Sequence, residues 1–271
     1  MDVHVPYLGG FPFSMFDPVH LGMDENSEHV YVNLAERNML IGGEPGGGKS
    51  SAINLIVAHG ALSYDCRLVL VDGNQVQLGP WRDCADIFIG PSLADAIAAF
   101  KKFQQIMNDR YAKLLATGRR KITRDDGDHV YLVVIDEYAY YSATVGKKAD
   151  REEFAALARD LIARGRAAGV ILILATQRPS HQVIDPSMRD LFGYRWAFRC
   201  TTDSSSDVVL GHGWAGEGFT AASIDPLARG VGWLLSETGV PRRIKAAYLS
   251  DADIAYLARF AADLRHRDEA A

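Results

Sequence analysis

The stretch Gly43-Glu44-Pro45-Gly46-Gly47-Gly48-Lys49-Ser50, GEPGGGKS in one-letter form, decides how the rest of the chain is read. It has the spacing G-x-x-x-x-G-K-S, follows the apolar run Met39-Leu40-Ile41, and opens a helical-type stretch from Ser51 to Val57. Strand, glycine turn and helix in that order give the motif its meaning. Glycines let the backbone curl until several N–H groups converge on phosphate oxygens, and the helix N-terminus adds the positive end of its dipole. The spacing predicts a phosphate-binding P-loop over Gly43, Glu44, Pro45, Gly46, Gly47, Gly48, Lys49, Ser50 and Ser51. In it Lys49 reaches the β- and γ-phosphates of ATP, Ser50 ligates Mg²⁺, and Glu44 and Pro45 contribute backbone only.

Outward from this loop, short apolar runs alternate with helical patterns. The runs are Arg67 to Val71, Asp86 to Ile89, Val130 to Ile135, Val170 to Leu174 and Tyr194 to Phe198. Helical periodicity covers about Leu93 to Leu115, with Ile97, Phe100, Phe103, Ile106 and Tyr111 on one side, and about Arg151 to Arg164. Ser250 with Asp253 is a capping-box start for a C-terminal helix. This alternation predicts an α/β fold, a mostly parallel central sheet with helices on both faces. Residues 1–37, rich in Pro, Gly and acids with one alternating stretch at His29 to Val32, are expected to pack as a lead-in on a single domain over 38–271. Ile122 to Asp128, Ser142 to Asp150 and Gly211 to Ala222 are expected to be the flexible stretches.

Composition narrows the class. A chain of 271 residues with 48% hydrophobic content can bury one large core. A net charge of -5 carries no overall basic signature, so a nucleic-acid surface would have to be local. Cys66, Cys84 and Cys200 are far apart and form no Cys-x-x-Cys pair, which argues against a disulfide framework and a zinc site. No apolar run reaches the length of a membrane span, and the first residues lack a signal-peptide pattern, so a cytoplasmic protein is expected.

Two further strand ends carry chemistry. Tyr131-Leu132-Val133-Val134-Ile135 ends in Asp136-Glu137, a Walker B pattern. Asp136 at the strand's carboxyl end would sit beside Mg²⁺, while Glu137 would orient or deprotonate the attacking water. The run Val170 to Ala175 ends in Thr176-Gln177-Arg178-Pro179. There Gln177 either hydrogen-bonds the γ-phosphate or the water, or merely caps the strand.

The strings GEPGGGKS, VVIDEYA and above all RAAGVILILATQRPS resemble the FtsK/SpoIIIE family of DNA-pumping motors. Asp109-Arg110-Tyr111, Gly118 to Thr123, Arg195 to Arg199 and Gly230 to Trp233 extend the resemblance over about Leu21 to Leu235. The pattern LGMDENSEHVYVNLAERNMLIGGEPGGGKS is most similar to actinomycete plasmid-transfer proteins of the TraSA/TraB type.

The resemblance implies a RecA-like P-loop NTPase working as a hexameric ring around double-stranded DNA, with ATP sites between subunits. It also implies an arginine donated by the neighbouring subunit, for which Arg166 is the first candidate and Arg164 the second, although basic residues also suit a helix end. Arg119, Arg120, Lys121 and Arg124 are the candidate DNA contacts, opposed by Asp125, Asp126 and Asp128 and equally readable as a solvated loop. A membrane-anchored partner or segment is implied in the same way. So is an alternative in which a related ATPase engages protein substrates of a type VII-like secretion system. Where many such motors read Asp-Pro-Lys, this chain reads Asp72-Gly73-Asn74, which leaves the role of that lysine without a carrier.

Overall fold

The structure, a computed structural model, describes residues 10–237 and 239–269. The first part of the lead-in and the end of the charged tail lie outside the described residues. In chain order the elements are the hairpin β1 (Val19–Asp24) and β2 (His29–Val32), then β3 (Met39–Gly42), α1 (Lys49–Ala61), β4 (Cys66–Val71), β5 (Ile87–Ile89) and α2 (Leu93–Ala116). There follow β6 (Val130–Ile135), α3 (Lys148–Arg164), β7 (Val170–Thr176), the single turn α4 (Pro186–Arg189), β8 (Tyr194–Phe198), α5 (Asp203–Leu210), β9 (Val231–Ser236), β10 (Arg242–Ala246) and α6 (Asp251–Glu269).

These strands form one sheet in the order β2-β1-β10-β9-β8-β3-β7-β6-β4-β5. From β8 to β5 every pairing is parallel. β9, β10, β1 and β2 extend the sheet by antiparallel pairings. Every residue of β7 is buried, as an apolar run covered on both faces requires. Alternation then sorts the strands between two cores. Met39, Ile41, Leu68, Leu70, Ile171 and Ile173 face a core that includes α1 and α6, whereas Leu40, Val69, Val71, Leu172 and Leu174 face one that includes α2, α3 and α5.

Three strands escaped sequence reading: β1, β9 and β10. β10 is Arg-Arg-Ile-Lys-Ala, with Ile244 and Ala246 buried and Arg242 and Lys245 exposed, too short and too charged to stand out. The stretches expected to be flexible are irregular but internally hydrogen-bonded. Thr123 and Asp126 close a capping box around a 3₁₀ turn, Tyr140–Thr144 forms a π-helical turn, and the Asp207 carboxylate accepts from the N–H groups of Gly213 and Ala215 at 3.0 Å each. Ser250 and Asp253 form the capping box expected for α6. Among the described residues no helix is long and apolar enough to cross a membrane.

Because β3, β6 and β7 run parallel and side by side, their carboxyl ends deliver the P-loop, Asp136-Glu137 and Gln177 to one rim of the sheet.

Candidate nucleotide-binding site

β3 ends at Gly42 and α1 begins at Lys49, with Gly48 as N-cap at φ 126°. Only glycine suits Gly48, since a Cβ there would lie 2.5 Å from Gly230 Cα. The loop leans on the turn before β9: Gly230 N–H donates to the Gly47 carbonyl at 2.9 Å, and the Gly230 carbonyl accepts from Ala246 N–H at 2.8 Å. α1 has no side-chain cap and no acid in its first turn, which leaves its first N–H groups for an anion. Glu44 does more than the backbone role expected of it. Its N–H donates to the Arg199 carbonyl at 2.9 Å, and its carboxylate ion-pairs with the Arg199 guanidinium.

Lys49 is buried, and its Nζ donates to Asp136 Oδ1 at 2.8 Å and to the Asp136 carbonyl at 2.9 Å. A buried ion pair of this kind survives because each charge has the other, so a phosphate displacing Asp136 restores the balance only if Asp136 gains a cation. Ser50 Oγ donates to Gln77 Oε1 at 2.8 Å. A hydroxyl and a carboxylate are hard oxygen donors, and Ser50 with Asp136 therefore fits Mg²⁺. Asp72 is spent on its own loop, accepting from Asn74 N–H and Leu78 N–H at 2.9 Å each.

Glu137 is held by the end of the neighbouring strand. Its Oε1 accepts from Thr176 Oγ1 at 2.7 Å, and its Oε2 accepts from Gln177 N–H at 2.7 Å. Gln177 ties Glu137 through its backbone N–H and lines the same cavity as Lys49 and Ser50. That cavity, about 470 Å³, is also lined by Arg229, Gly230, Lys245, Ala246 and Tyr248. Gln77, Arg199 and the β9–β10 residues were not singled out for the site. None belongs to a spacing pattern, and only the fold brings them to the loop. The cysteines take no part: burial pushes the thiols of Cys66, Cys84 and Cys200 up to about 12, leaving them protonated and inert.

The remaining candidates lie at the opposite rim. Arg166 precedes β7 and pairs with Glu237 at 2.9 Å, and Arg164 pairs with Asp160 at 2.6 Å. β7 separates them from Gln177 by seven residues, about 20 Å of strand. Neither arginine reaches its own chain's P-loop. In the basic loop Arg119 pairs with Asp126, Lys121 with Glu36 and Arg124 with Asp17, while Arg120 has no ion pair among the described residues.

Comparison with known proteins agrees with this picture. Residues 14–131 match the FtsK/SpoIIIE family. The DNA translocase FtsK of Chlorobaculum tepidum is 28% identical over 268 residues, covering 91% of this chain and 32% of that protein. The DNA translocase FtsK of Treponema pallidum is 30% identical over 258 residues, covering 88% and 30%. The chain thus spans about a third of the length of these relatives. Among solved structures, the pCW3 conjugation coupling protein TcpA, in its monomer form with ATPgS, superposes with a TM-score of 0.77 at 19% identity, over 98% of this chain and 75% of that one. The cytoplasmic domain of the Thermomonospora curvata type VII secretion ATPase EccC superposes with a TM-score of 0.70 at 22% identity, over 90% and 31%. At such identities these two likenesses speak for the fold. With the P-loop, the Walker B acids and the sheet order, these matches show a P-loop ATPase domain of RecA-like fold that is similar to the FtsK/SpoIIIE family.

Proposed function

We propose that this domain couples ATP hydrolysis to the movement of double-stranded DNA, in plasmid or chromosome transfer, working as a hexameric ring whose ATP sites lie between subunits. The observation that carries the reading is the position of Glu137, beside the Lys49–Asp136 pair and fastened to the end of β7 by Thr176 and Gln177. Lys49 exchanges Asp136 for phosphate oxygens, and α1 offers its free N–H groups to the same chain of phosphates. Asp136, so released, would hold Mg²⁺ together with Ser50, and the ion would supply neutralisation of phosphate charge. Glu137 then orients the water and accepts its proton. To do so it gives up the Thr176 hydroxyl and the Gln177 N–H, which transmits the event to the segment after β7. Arg166 of a neighbouring copy completes the site. Such a motor works in the cytoplasm at the inner face of the cell membrane, beside a membrane-anchored partner or segment.

DNA as substrate is supported by the relatives, which are named DNA translocases. One observation favours the second reading, an ATPase engaging protein substrates as in type VII secretion: three of the four cations proposed to meet DNA already have carboxylate partners. ATP turnover measured with and without double-stranded DNA over a salt series separates the two. DNA stimulation that fades steeply with salt is expected. Turnover indifferent to every DNA, yet raised by a peptide, would overturn the DNA reading.

A further inference from the structure

The cavity beside the P-loop has two chemically distinct ends. Gln177, after β7, stands at one; Arg229, Gly230, Lys245, Ala246 and Tyr248, around β9 and β10, form the other; and Lys49 and Ser50 of the P-loop line the same cavity. The two ends lie on opposite sides of β3, which stands between β7 and β8 with β9 and β10 beyond. A phosphate chain gripped by Lys49, its terminal phosphate toward Asp136 and Glu137, leaves its nucleoside at the second end.

That end is rigid in backbone and open in side chain. Gly230 is pinned between Gly47 and Ala246 by hydrogen bonds of 2.9 and 2.8 Å, and Ala247 N–H donates to the Leu21 carbonyl at 3.0 Å. The next residue, Tyr248, is 75% exposed, an aromatic face left to solvent at the rim of the cavity. Lys245 Nζ donates to the Arg229 carbonyl, and among the described residues neither Lys245 nor Arg229 has a carboxylate partner.

We propose that Tyr248 is the stacking platform for the base of the bound nucleotide, with Lys245 and Arg229 facing its ribose and innermost phosphate. This rests on the P-loop reading above and adds what that motif leaves open, how the base is held. A ring face discriminates by stacked area, so purine nucleotides bind more tightly than pyrimidine ones.

Calorimetry with ATP, UTP and inorganic tripolyphosphate, each with Mg²⁺, tests the assignment on the unaltered chain, Tyr248→Ala and Tyr248→Phe. The alanine variant is expected to bind ATP about tenfold more weakly and to lose most of its preference for ATP over UTP. The phenylalanine variant should bind as the unaltered chain does, and tripolyphosphate should bind all three alike. ATP affinity unchanged in Tyr248→Ala, or an equal loss for tripolyphosphate, would overturn the platform. Lys49→Ala separates the two readings. If it binds tripolyphosphate as tightly as the unaltered chain, the P-loop reading fails, whatever Tyr248 does.

Discussion

Glu137 divides its carboxylate among three donors, Thr176 Oγ1 and the Gln177 N–H at the end of β7 and the Ala139 N–H of its own segment, and this decides what its substitution does. An amide in its place keeps an oxygen for the Gln177 N–H but gives up basicity. Glu137→Gln is therefore expected to bind ATP with near-unaltered affinity and to lose at least about a hundredfold in turnover. Equilibrium nucleotide binding beside single-turnover hydrolysis checks both halves, and ordinary turnover would remove Glu137 from the water-activating role. At this scale the sequence was informative where chemistry imposes spacing: Lys49, Ser50, Asp136 and Glu137 all lie at one rim. Tyr248 and Gln77 obey no spacing, and nothing in the sequence marks the Thr176 hydroxyl as a donor to Glu137.

Among the elements, the segment after β6 and the segment after β4 explain each other. The π-helical turn Tyr140–Thr144 begins three residues after Glu137 and carries the Tyr140 ring against Gly73, where a Cβ would lie 2.6 Å from two ring carbons. π-turns often mark functional sites, and this one sits beside the Walker B acids. The Asp72-Gly73-Asn74 departure thus has a physical correlate, since the space of a larger residue is filled by a tyrosine. Gly73→Ala is expected to cost about 1–3 kcal/mol by overpacking, and much less in a Tyr140→Ala background. Chemical denaturation of the single and double variants measures that coupling, and equal costs in both backgrounds would disprove it. Long buried strands and the helices α2, α3 and α6 were legible from periodicity. β1, β9 and β10 were not: glycine interrupts the first two, at Gly22 and Gly232, and β10 carries three cations in five residues.

Across the whole molecule, the sheet sets the P-loop and Arg166 at opposite rims. The P-loop, Asp136 and Glu137 lie at the carboxyl ends of the parallel strands, while Arg166 lies at the start of β7, paired with Glu237. An arginine there is too far away to meet its own chain's P-loop, and the trans role proposed for it needs another copy. Mixing Arg166→Ala subunits with Glu137→Gln subunits is therefore expected to recover hydrolysis that neither has alone, because one class of mixed interface combines an intact Glu137 with an intact arginine. No recovery in steady-state turnover would leave the proposed trans role without support. The carboxylates beside Arg119, Lys121 and Arg124 also set how many counterions DNA could release at that loop. Four unpaired cations would give a log–log slope of affinity against salt near -3.6, whereas Arg120 alone gives about -0.9. The slope therefore counts how many of these ion pairs DNA breaks.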